Sequence, residues 1–323
     1  MKKAIAIILA SVLSLAVFAA CSGTYGSTNP TSLPGNAVQD VPDSLIPAAP
    51  DAPVADAQTP TEPTPAESSF DTSRVIAVYT REEGSGTREA FVSLTGVGED
   101  MYVEAVVESE TNQILTKVEE NEYAISYVSV GSLNPKVKAL ALNGVTPSNE
   151  TVIDGSYTLQ RPFLVCINAD NISNALVEDF IAFMISAEGQ DIVATKWTKI
   201  VQNAPAYTPI GLSGTLKVGG STSVEPLMGA LRQAYISLNP SVDIEISGGG
   251  SGVGISEATS GVLDIGMSSR ALKDNEKEAL TGTDIALDGV AVIVNPANPI
   301  TGMTTEQVKD IFTGEITRWS EVS

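Results

Sequence analysis

Glycines and small hydroxyl residues gather in two separate loops that are suited to binding an anion. The first loop runs from Arg81 to Thr87 (REEGSGT), and the second, from Gly220 to Ser223 (GSTS), follows far downstream. Each loop precedes a helical pattern, so its backbone N–H groups would open a helix, where unsatisfied donors and the helix dipole favour negative charge. The guanidinium of Arg81 could add two parallel donors to two oxygens of the same anion.

Two further loops extend this pattern. They are the glycine loop from Gly248 to Gly252 (GGGSG) and the tripeptide Ser268-Ser269-Arg270. Any one loop is weak evidence, because glycine turns and serine or threonine helix caps are common. Together the loops could surround one small oxyanion with hydroxyls, N–H groups and guanidinium. Nucleotide binding is a minor alternative, because the sequence lacks the Gly-Lys-Ser/Thr of a P-loop and the glycine loop lacks the spacing of a dinucleotide fingerprint.

The composition excludes several functional classes. The chain contains no histidine, which removes Ser-His-Asp and Cys-His catalysis and histidine-ligated metal sites. With 18 Lys and Arg against 39 Asp and Glu, the formal net charge of −21 argues against nucleic-acid binding. It does not argue against a small anion in a cleft, because salt screens distant charge over about 8 to 10 Å. We therefore expect a binding protein, not an enzyme, without cofactor or metal.

The N-terminus carries an export signal. Lys2 and Lys3 precede an apolar run from Ala4 to Ala20, and the run ends in Phe-Ala-Ala-Cys-Ser, which resembles the bacterial lipobox. We expect residues 1–21 to be a signal peptide and Cys21 to carry the lipid. An ordinary cleaved signal or an uncleaved membrane anchor are the alternatives, since Phe18 departs from the commoner leucine. Residues 22–73 are rich in Pro, Thr and Ala and predict a disordered tether.

The remaining sequence alternates between strand and helix patterns. Residues 74–79 read as a strand and lead through the first anion loop into a helical opening at residues 88–92; residues 216–218 lead through the second loop into a helix over residues 224–238. Such alternation predicts an α/β fold, in which ligands bind beyond the carboxyl ends of strands. Other strands are expected at 123–128, 163–168, 242–246, 264–267 and 290–295, and other helices at 173–185, 253–259 and 304–312.

Taken together, these segments resemble the PstS family, the phosphate-binding proteins of bacterial phosphate ABC importers. Residues 215–323 are similar to the family's first half and residues 74–203 to its second half. The resembling motifs of the first half are LKVGGSTS (216–223), GGSG (249–252), DIGMSSR (264–270), LDGVAVIVN (287–295) and IFTGEI with Trp319. Those of the second half are the Arg81 loop, YTLQRP (157–162) and SAEGQ (186–190). The resemblance implies a two-lobed, type II periplasmic-binding-protein-like fold.

The two halves stand in the opposite order to that of the family. In the family the tryptophan segment leads directly into the Arg-x-x-Gly-Ser-Gly-Thr segment, whereas here the latter comes first. The order predicts a circular permutant, with residues 204–214 as the joining linker and residues 74–323 as one binding domain, because domain ends often lie close together. The alternative is a fragment of a tandem array, whose halves could pair within the chain or with other chains by domain swapping.

The resemblance also implies a set of phosphate contacts. It assigns Ser221, Thr222, Ser223, Ser251, Ser269, Arg81, Ser85, Gly86 and Thr87, with Gly250, Arg270 and Asp288 as further candidates. Some family members have an aspartate where Ser269 stands, and that aspartate accepts the proton that distinguishes hydrogen phosphate from sulfate. Asp288 is the candidate substitute acceptor, and its simpler role is that of a polar residue where the chain crosses between lobes.

The expected function is to bind inorganic phosphate between the lobes and deliver it to the membrane permease of an ABC importer. The resemblance implies an exported monomer, lipid-anchored to the outer face of the bacterial cytoplasmic membrane. Receptors for sulfate, molybdate or tungstate, a phosphate sensor, a non-binding relative and a phosphoester hydrolase are the alternatives. Separately, Cys166 lies in an apolar run and reads as a buried hydrophobic residue.

Overall fold

The computed structural model describes residues 70–322. Its strands are β1 (Ala77–Arg81), β2 (Val106–Glu108), β3 (Ala124–Ser129), β4 (Lys138–Ala139), β5 (Ala141–Leu142), β6 (Gln160–Asn168), β7 (Gly214–Gly220), β8 (Val242–Ser247), β9 (Ile265–Ser268), β10 (Leu280–Val294) and β11 (Gly302–Met303). Its α-helices are α1 (Gly86–Thr95), α2 (Thr111–Glu120), α3 (Asn149–Ile153), α4 (Ala175–Met184), α5 (Ala187–Val193), α6 (Glu225–Leu238), α7 (Ser251–Thr259), α8 (Asp274–Lys277) and α9 (Thr305–Thr313).

The main sheet has the strand order β2-β1-β3-β10-β6-β9-β7-β8, and β4 also pairs with β10. Its two ends repeat one arrangement. At one end β1 pairs in parallel with β2 and β3, and β10 lies antiparallel to β3. At the other end β7 pairs in parallel with β8 and β9, and β6 lies antiparallel to β9. Each end therefore has three parallel strands and one antiparallel strand that comes from the other half of the sequence.

Two hydrophobic cores correspond to these two ends and define two lobes. We call the lobe around β7, β8, β9 and β6 lobe A; its core includes Phe163, Phe180 and Leu231. We call the lobe around β1, β3 and the second half of β10 lobe B; its core includes Phe91 and Phe312. The 15-residue β10 passes through both, pairing with β6 up to residue 289 and with β3 from residue 290.

The beginning and the end of the described chain lie side by side. Val75 and Arg318 form an antiparallel bridge, and the Ile76 N–H donates to the Thr317 carbonyl at 2.8 Å. Phe70 is buried in the core of lobe B. The folded part therefore begins by residue 70, before the expected boundary at 74.

The α/β fold and the strands and helices expected from the sequence are confirmed within one to three residues at most ends. One strand is much longer than predicted, since β10 begins at Leu280 instead of 290. Helices α2, α3, α5 and α8 and the short strands β2, β4, β5 and β11 were not predicted. The expected signal peptide, Cys21 and tether residues 22–69 lie outside the described residues. Within residues 70–322, no helix is both long and apolar enough to cross a membrane.

Close packing of α7 against the sheet predicts a stability effect at Gly254. A Cβ on this residue would lie 2.7 Å from the Gly219 carbonyl oxygen and 2.7 Å from the Gly220 Cα, and backbone cannot move aside as a side chain can. We expect Gly254→Ala to lower the free energy of unfolding by about 1 to 3 kcal/mol. Gly229→Ala in α6 is the control, because a Cβ there meets no atom within 4 Å and alanine favours helix. Urea unfolding of both variants checks this, and equal stabilities would contradict the packing argument.

Candidate functional site

The anion loops follow the carboxyl ends of parallel strands in both lobes. In lobe B, Ser85 caps α1 directly after β1, accepting from the Arg88 N–H at 3.3 Å. In lobe A, residues 221–224 connect β7 to α6, and the glycine loop connects β8 to α7. Gly250 has φ of 92°, a left-handed conformation that favours glycine. The α/β topology thus brings the helix starts of both lobes to one side of the sheet, where their N–H groups can meet an anion.

Hydroxyl groups from the two lobes meet at the junction between them. The Thr87 and Ser223 hydroxyl oxygens lie 2.8 Å apart, and those of Ser251 and Ser269 lie 3.3 Å apart. Gly86 lies against the second pair, since a Cβ on it would be 2.3 Å from the Ser251 oxygen. We call the resulting group the hydroxyl cluster; its members are buried and comprise Thr87, Thr111, Thr222, Ser223, Ser251 and Ser269. Ser221, which precedes Thr222, is also buried.

Thr111, the first residue of α2, is a member that the sequence analysis missed. Its hydroxyl oxygen lies 3.2 Å from that of Thr222 and 3.3 Å from that of Ser223. An amphipathic pattern over residues 111–120 could have indicated the helix start. Thr111 and Thr222 also line an open groove of about 510 Å³, so this groove reaches the edge of the hydroxyl cluster.

Arg81 is buried at the edge of the cluster and is held by several acceptors. Its Nε and Nη2 donate to the two carboxylate oxygens of Glu82 at 2.9 and 3.0 Å. Nη2 also donates to the Ser109 carbonyl at 2.9 Å and to the Thr222 hydroxyl at 3.1 Å. The guanidinium therefore reaches the hydroxyl cluster from lobe B, while Glu82 fixes its orientation and balances its charge.

Arg161 is a second arginine at the cluster that the sequence analysis did not assign to it. It stands opposite Asp288 where β6 pairs with β10, and its Nε donates to the Asp288 carboxylate at 3.0 Å. Its Nη1 donates to the Thr87 hydroxyl at 2.7 Å. Burial raises the pKa of Asp288 and lowers that of Arg161, while the attraction between the two charges opposes both shifts.

Asp288, the candidate proton acceptor, already has partners within the protein. Besides Arg161 it accepts from the Ser129 hydroxyl at 2.8 Å and from the Gly131 N–H at 3.5 Å. These contacts match its simpler expected role at the crossover between lobes, because the carboxylate fixes Arg161 and the segment after β3. Gly250 is likewise engaged, as its N–H donates to the Gly220 carbonyl at 3.0 Å.

Arg270, a further candidate from the sequence, binds two carboxylates, and no hydrogen bond joins its guanidinium to a cluster hydroxyl within residues 70–322. Its Nη1 and Nη2 donate to Glu276 at 2.7 and 2.8 Å, and its Nε lies 2.9 Å from a Glu89 carboxylate oxygen. Lys273 also contacts Glu89 at 3.0 Å. Since Glu89 belongs to α1 and Arg270 follows β9, this group of charges links the lobes beside the cluster.

The chemical groups around the hydroxyl cluster are mainly hydrogen-bond donors. Within the described chain, no group of three or more His, Cys, Asp or Glu side chains is placed to hold a metal ion. Cys166 is fully buried, and burial raises the pKa of its thiol to about 12, so it is not a nucleophile at neutral pH. What the lobes present to each other is a set of hydroxyl, N–H and guanidinium donors, which suits a small oxyanion.

Two lobes with matching sheets, crossing strands between them and donor loops at the junction define a solute-binding protein of the type II class. The model of the PBP superfamily domain matches residues 71–188 and 205–323. "Phosphate-binding protein PstS 2" of Streptococcus pneumoniae is 42% identical over 77% of this chain and 88% of that protein. The namesake of Streptococcus agalactiae is 39% identical over 80% of this chain and 91% of that protein.

A solved structure agrees with these relatives. The phosphate-binding protein of a phosphate ABC transporter from Streptococcus pneumoniae TIGR4 is 41% identical, with a TM-score of 0.64 over 77% of this chain and all of that chain. The chain therefore belongs to the PstS family of the PBP superfamily, and the family expected from the sequence is confirmed.

The charges that link the lobes predict a pH-dependent contribution to stability. Hydrogen bonds from Arg270 hold the pKa of Glu276 below its ordinary value of 4.5, so its charged form stabilises the fold above that pH. We expect Glu276→Gln to lower the free energy of unfolding at pH 7 by about 1 to 2 kcal/mol. The difference should shrink as the pH falls below 4.5, because the wild-type carboxyl is then protonated too. Urea unfolding at pH 7 and pH 3.5 measures it, with exposed Glu278→Gln as control; a pH-independent difference would contradict the ion-pair origin.

Proposed function

We propose that this protein is an extracellular solute-binding protein that holds inorganic phosphate between its lobes and delivers it to an ABC permease. The observation that carries the proposal is the meeting of the Thr87 and Ser223 hydroxyls, from lobes B and A, at 2.8 Å. Phosphate has four oxygens arranged around one centre, so donors that converge from two sides are what it needs. The permease partner rests on the name of the solved relative, which is the phosphate-binding protein of a phosphate ABC transporter.

The residues proposed to bind phosphate come from both chain segments. In lobe B they are Arg81 and the start of α1, where the N–H groups of Gly86 and Thr87 have no preceding helical turn to accept them. In lobe A they are the hydroxyls at the start of α6 and α7. The full proposed set is Arg81, Ser85, Gly86, Thr87, Ser221, Thr222, Ser223, Ser251 and Ser269. Bound phosphate would stabilise the closed arrangement of the lobes, which is the mechanism of a hinge-closing receptor.

Selectivity for phosphate over sulfate separates the proposed function from its main alternative, a receptor for another oxyanion. Ser269 brings a hydroxyl and no carboxylate to the cluster, and Asp288 is engaged with Arg161. A hydroxyl can accept the phosphate proton as well as donate, so it tolerates both anions better than a carboxylate does. A sulfate, molybdate or tungstate receptor is therefore the second candidate function, and titration with each anion separates the two. Turnover of a phosphoester by pure protein would instead support a hydrolase.

We further propose that the chain is a circular permutant that folds as one domain. Strand β6 from segment 74–203 completes lobe A, and β10 from segment 215–323 completes lobe B. Arg74 and Trp319 lie together, with the Trp319 N–H donating to the Arg74 carbonyl at 3.3 Å. In the order that the sequence analysis expects of the family, with residues 215–323 before residues 74–203, these residues would be joined by a short connection. Residues 204–214 would serve as the linker that replaces the family's own ends.

Export and lipid anchoring at Cys21 belong to the same proposal. Lipidation would hold the binding domain near its permease at the outer face of the cytoplasmic membrane, with the segment after Cys21 as tether. We expect Cys21→Ser to shift the protein from the membrane fraction to the medium or periplasm of the host cell. Fractionation followed by immunoblotting checks this, and a variant that stays with the membrane would favour an uncleaved anchor.

Thr87→Val tests the phosphate site with little change in shape. The substitution removes a hydroxyl that contacts Ser223 and accepts from Arg161, so we expect the phosphate dissociation constant to rise about tenfold. Isothermal titration calorimetry with inorganic phosphate measures it. Thr95→Val, in the same helix, is the matched control, because that buried hydroxyl donates to the Phe91 carbonyl and lies outside the cluster.

Three outcomes of this titration would decide the matter. Micromolar or tighter binding by wild type, with loss in Thr87→Val alone, supports the proposal. No heat with phosphate but a clear signal with sulfate or molybdate would make the protein a receptor for that anion. Equal phosphate binding by wild type and Thr87→Val would move the phosphate away from the hydroxyl cluster.

A further inference from the structure

Arg161 and Asp288 form a buried ion pair at the point where the chain crosses between the lobes. They are direct partners in the antiparallel pairing of β6 and β10, one residue before β10 leaves β6 for β3. Their side chains are only 2% and 1% exposed. Removing two charges from water is costly, so such a pair is weak evidence of a stabilising role. Its position between the anion loops of the two lobes suggests another role.

The guanidinium of Arg161 contacts the anion loops of both lobes. Its Nη1 donates to the Thr87 hydroxyl of lobe B at 2.7 Å and lies 3.4 Å from the Ser269 carbonyl oxygen of lobe A. Thr87 in turn contacts Ser223. Arg161 thus contacts one cluster residue in each lobe, Thr87 in lobe B and Ser269 in lobe A.

The same guanidinium has unused donor capacity. Its Nη2 lies 3.0 Å from the Asp288 carboxylate but makes no geometrically sound hydrogen bond with any group in residues 70–322. Buried side-chain donors are nearly always satisfied, so an unsatisfied one beside a donor cluster points to a partner that is bound in function. The Nε, by contrast, is fully used by Asp288 at 3.0 Å.

We infer that Arg161 is a second guanidinium ligand of the bound anion, and that Asp288 is the positioning residue that holds it at the hinge. The inference deepens the proposed function and rests on it. Arg81 would approach the anion from the edge of the cluster and Arg161 from its floor. Each arginine brings its own carboxylate, Glu82 or Asp288, so the empty site does not bury a net positive charge. The ligand class is a tetrahedral oxyanion held by two guanidiniums.

A pair of substitutions separates a ligand from a merely structural ion pair. Arg161→Gln alone would leave Asp288 buried without its partner and could unfold the protein. The double variant Arg161→Gln/Asp288→Asn removes both charges and leaves neutral groups that can still bond to each other. We expect it to fold, with a phosphate dissociation constant raised about 10- to 100-fold. Arg161→Lys should fall between it and wild type, because lysine keeps the charge but loses the planar fork.

Arg232→Gln is the matched control, since this arginine pairs with Asp243 on the outside of lobe A. Calorimetry with inorganic phosphate should find it unchanged. A folded double variant that binds phosphate within about threefold of wild type would overturn the inference and leave the proposed function standing. A wild-type protein that does not bind phosphate would overturn the proposed function and the inference with it.

If the double variant does not fold, a measurement on the wild-type side chain tests the inference instead. The guanidinium ¹⁵N resonances of the wild-type protein, assigned with Arg161→Lys, should shift when phosphate is added, both for Arg81 and for Arg161. The Arg232 resonances serve as the internal reference and should stay in place. A shift at Arg81 with none at Arg161 would contradict the inference without touching the proposed phosphate site.

Discussion

The antiparallel pairing of β6 with β10 is the constraint on which the rest of the structure depends. Each strand comes from one chain segment and joins the sheet of the lobe that the other segment builds. Neither lobe is complete without the other segment, so the two halves of the sequence must fold together. The same register places Arg161 opposite Asp288 at the crossover. The crossover between the lobes and the proposed anion site therefore share one piece of structure.

Local pairing of charges explains how a strongly acidic chain can form an anion site. The formal charge of −21 is spread over the whole sequence, whereas the cleft contains hydroxyls, helix starts and two arginines that are each balanced by one carboxylate. Inside a buried cleft, aligned donors at hydrogen-bond distance outweigh distant surface charge that salt screens. Arg270 serves a different purpose, since Glu89 and Glu276 neutralise it at the contact between the lobes.

The loops of the candidate site that are local in the chain could be located from the sequence. Gly-Ser loops between a strand and a helix, such as Arg81 to Thr87, follow from glycine, hydroxyl and apolar spacing alone, and they converge because parallel strands end on one side. Arg161 and Asp288 could not be paired from the sequence, because 127 positions separate them. The first half of β10 was missed because its pattern is not apolar. Among the described strands this half pairs only with β6, and a strand segment with one partner can carry polar residues. The pairing of Arg270 with Glu89 could not be predicted either, because these residues are remote in the sequence.

A crystal structure of the protein with inorganic phosphate tests the central claim most directly, namely that loops from both segments of one chain form one anion site. The account predicts a single phosphate between the lobes, within hydrogen-bond distance of Thr87, Ser223 and Ser251 of the same chain. A phosphate surrounded by loops of two different chains would contradict the single-domain fold. A phosphate bound away from the hydroxyl cluster would contradict the site itself.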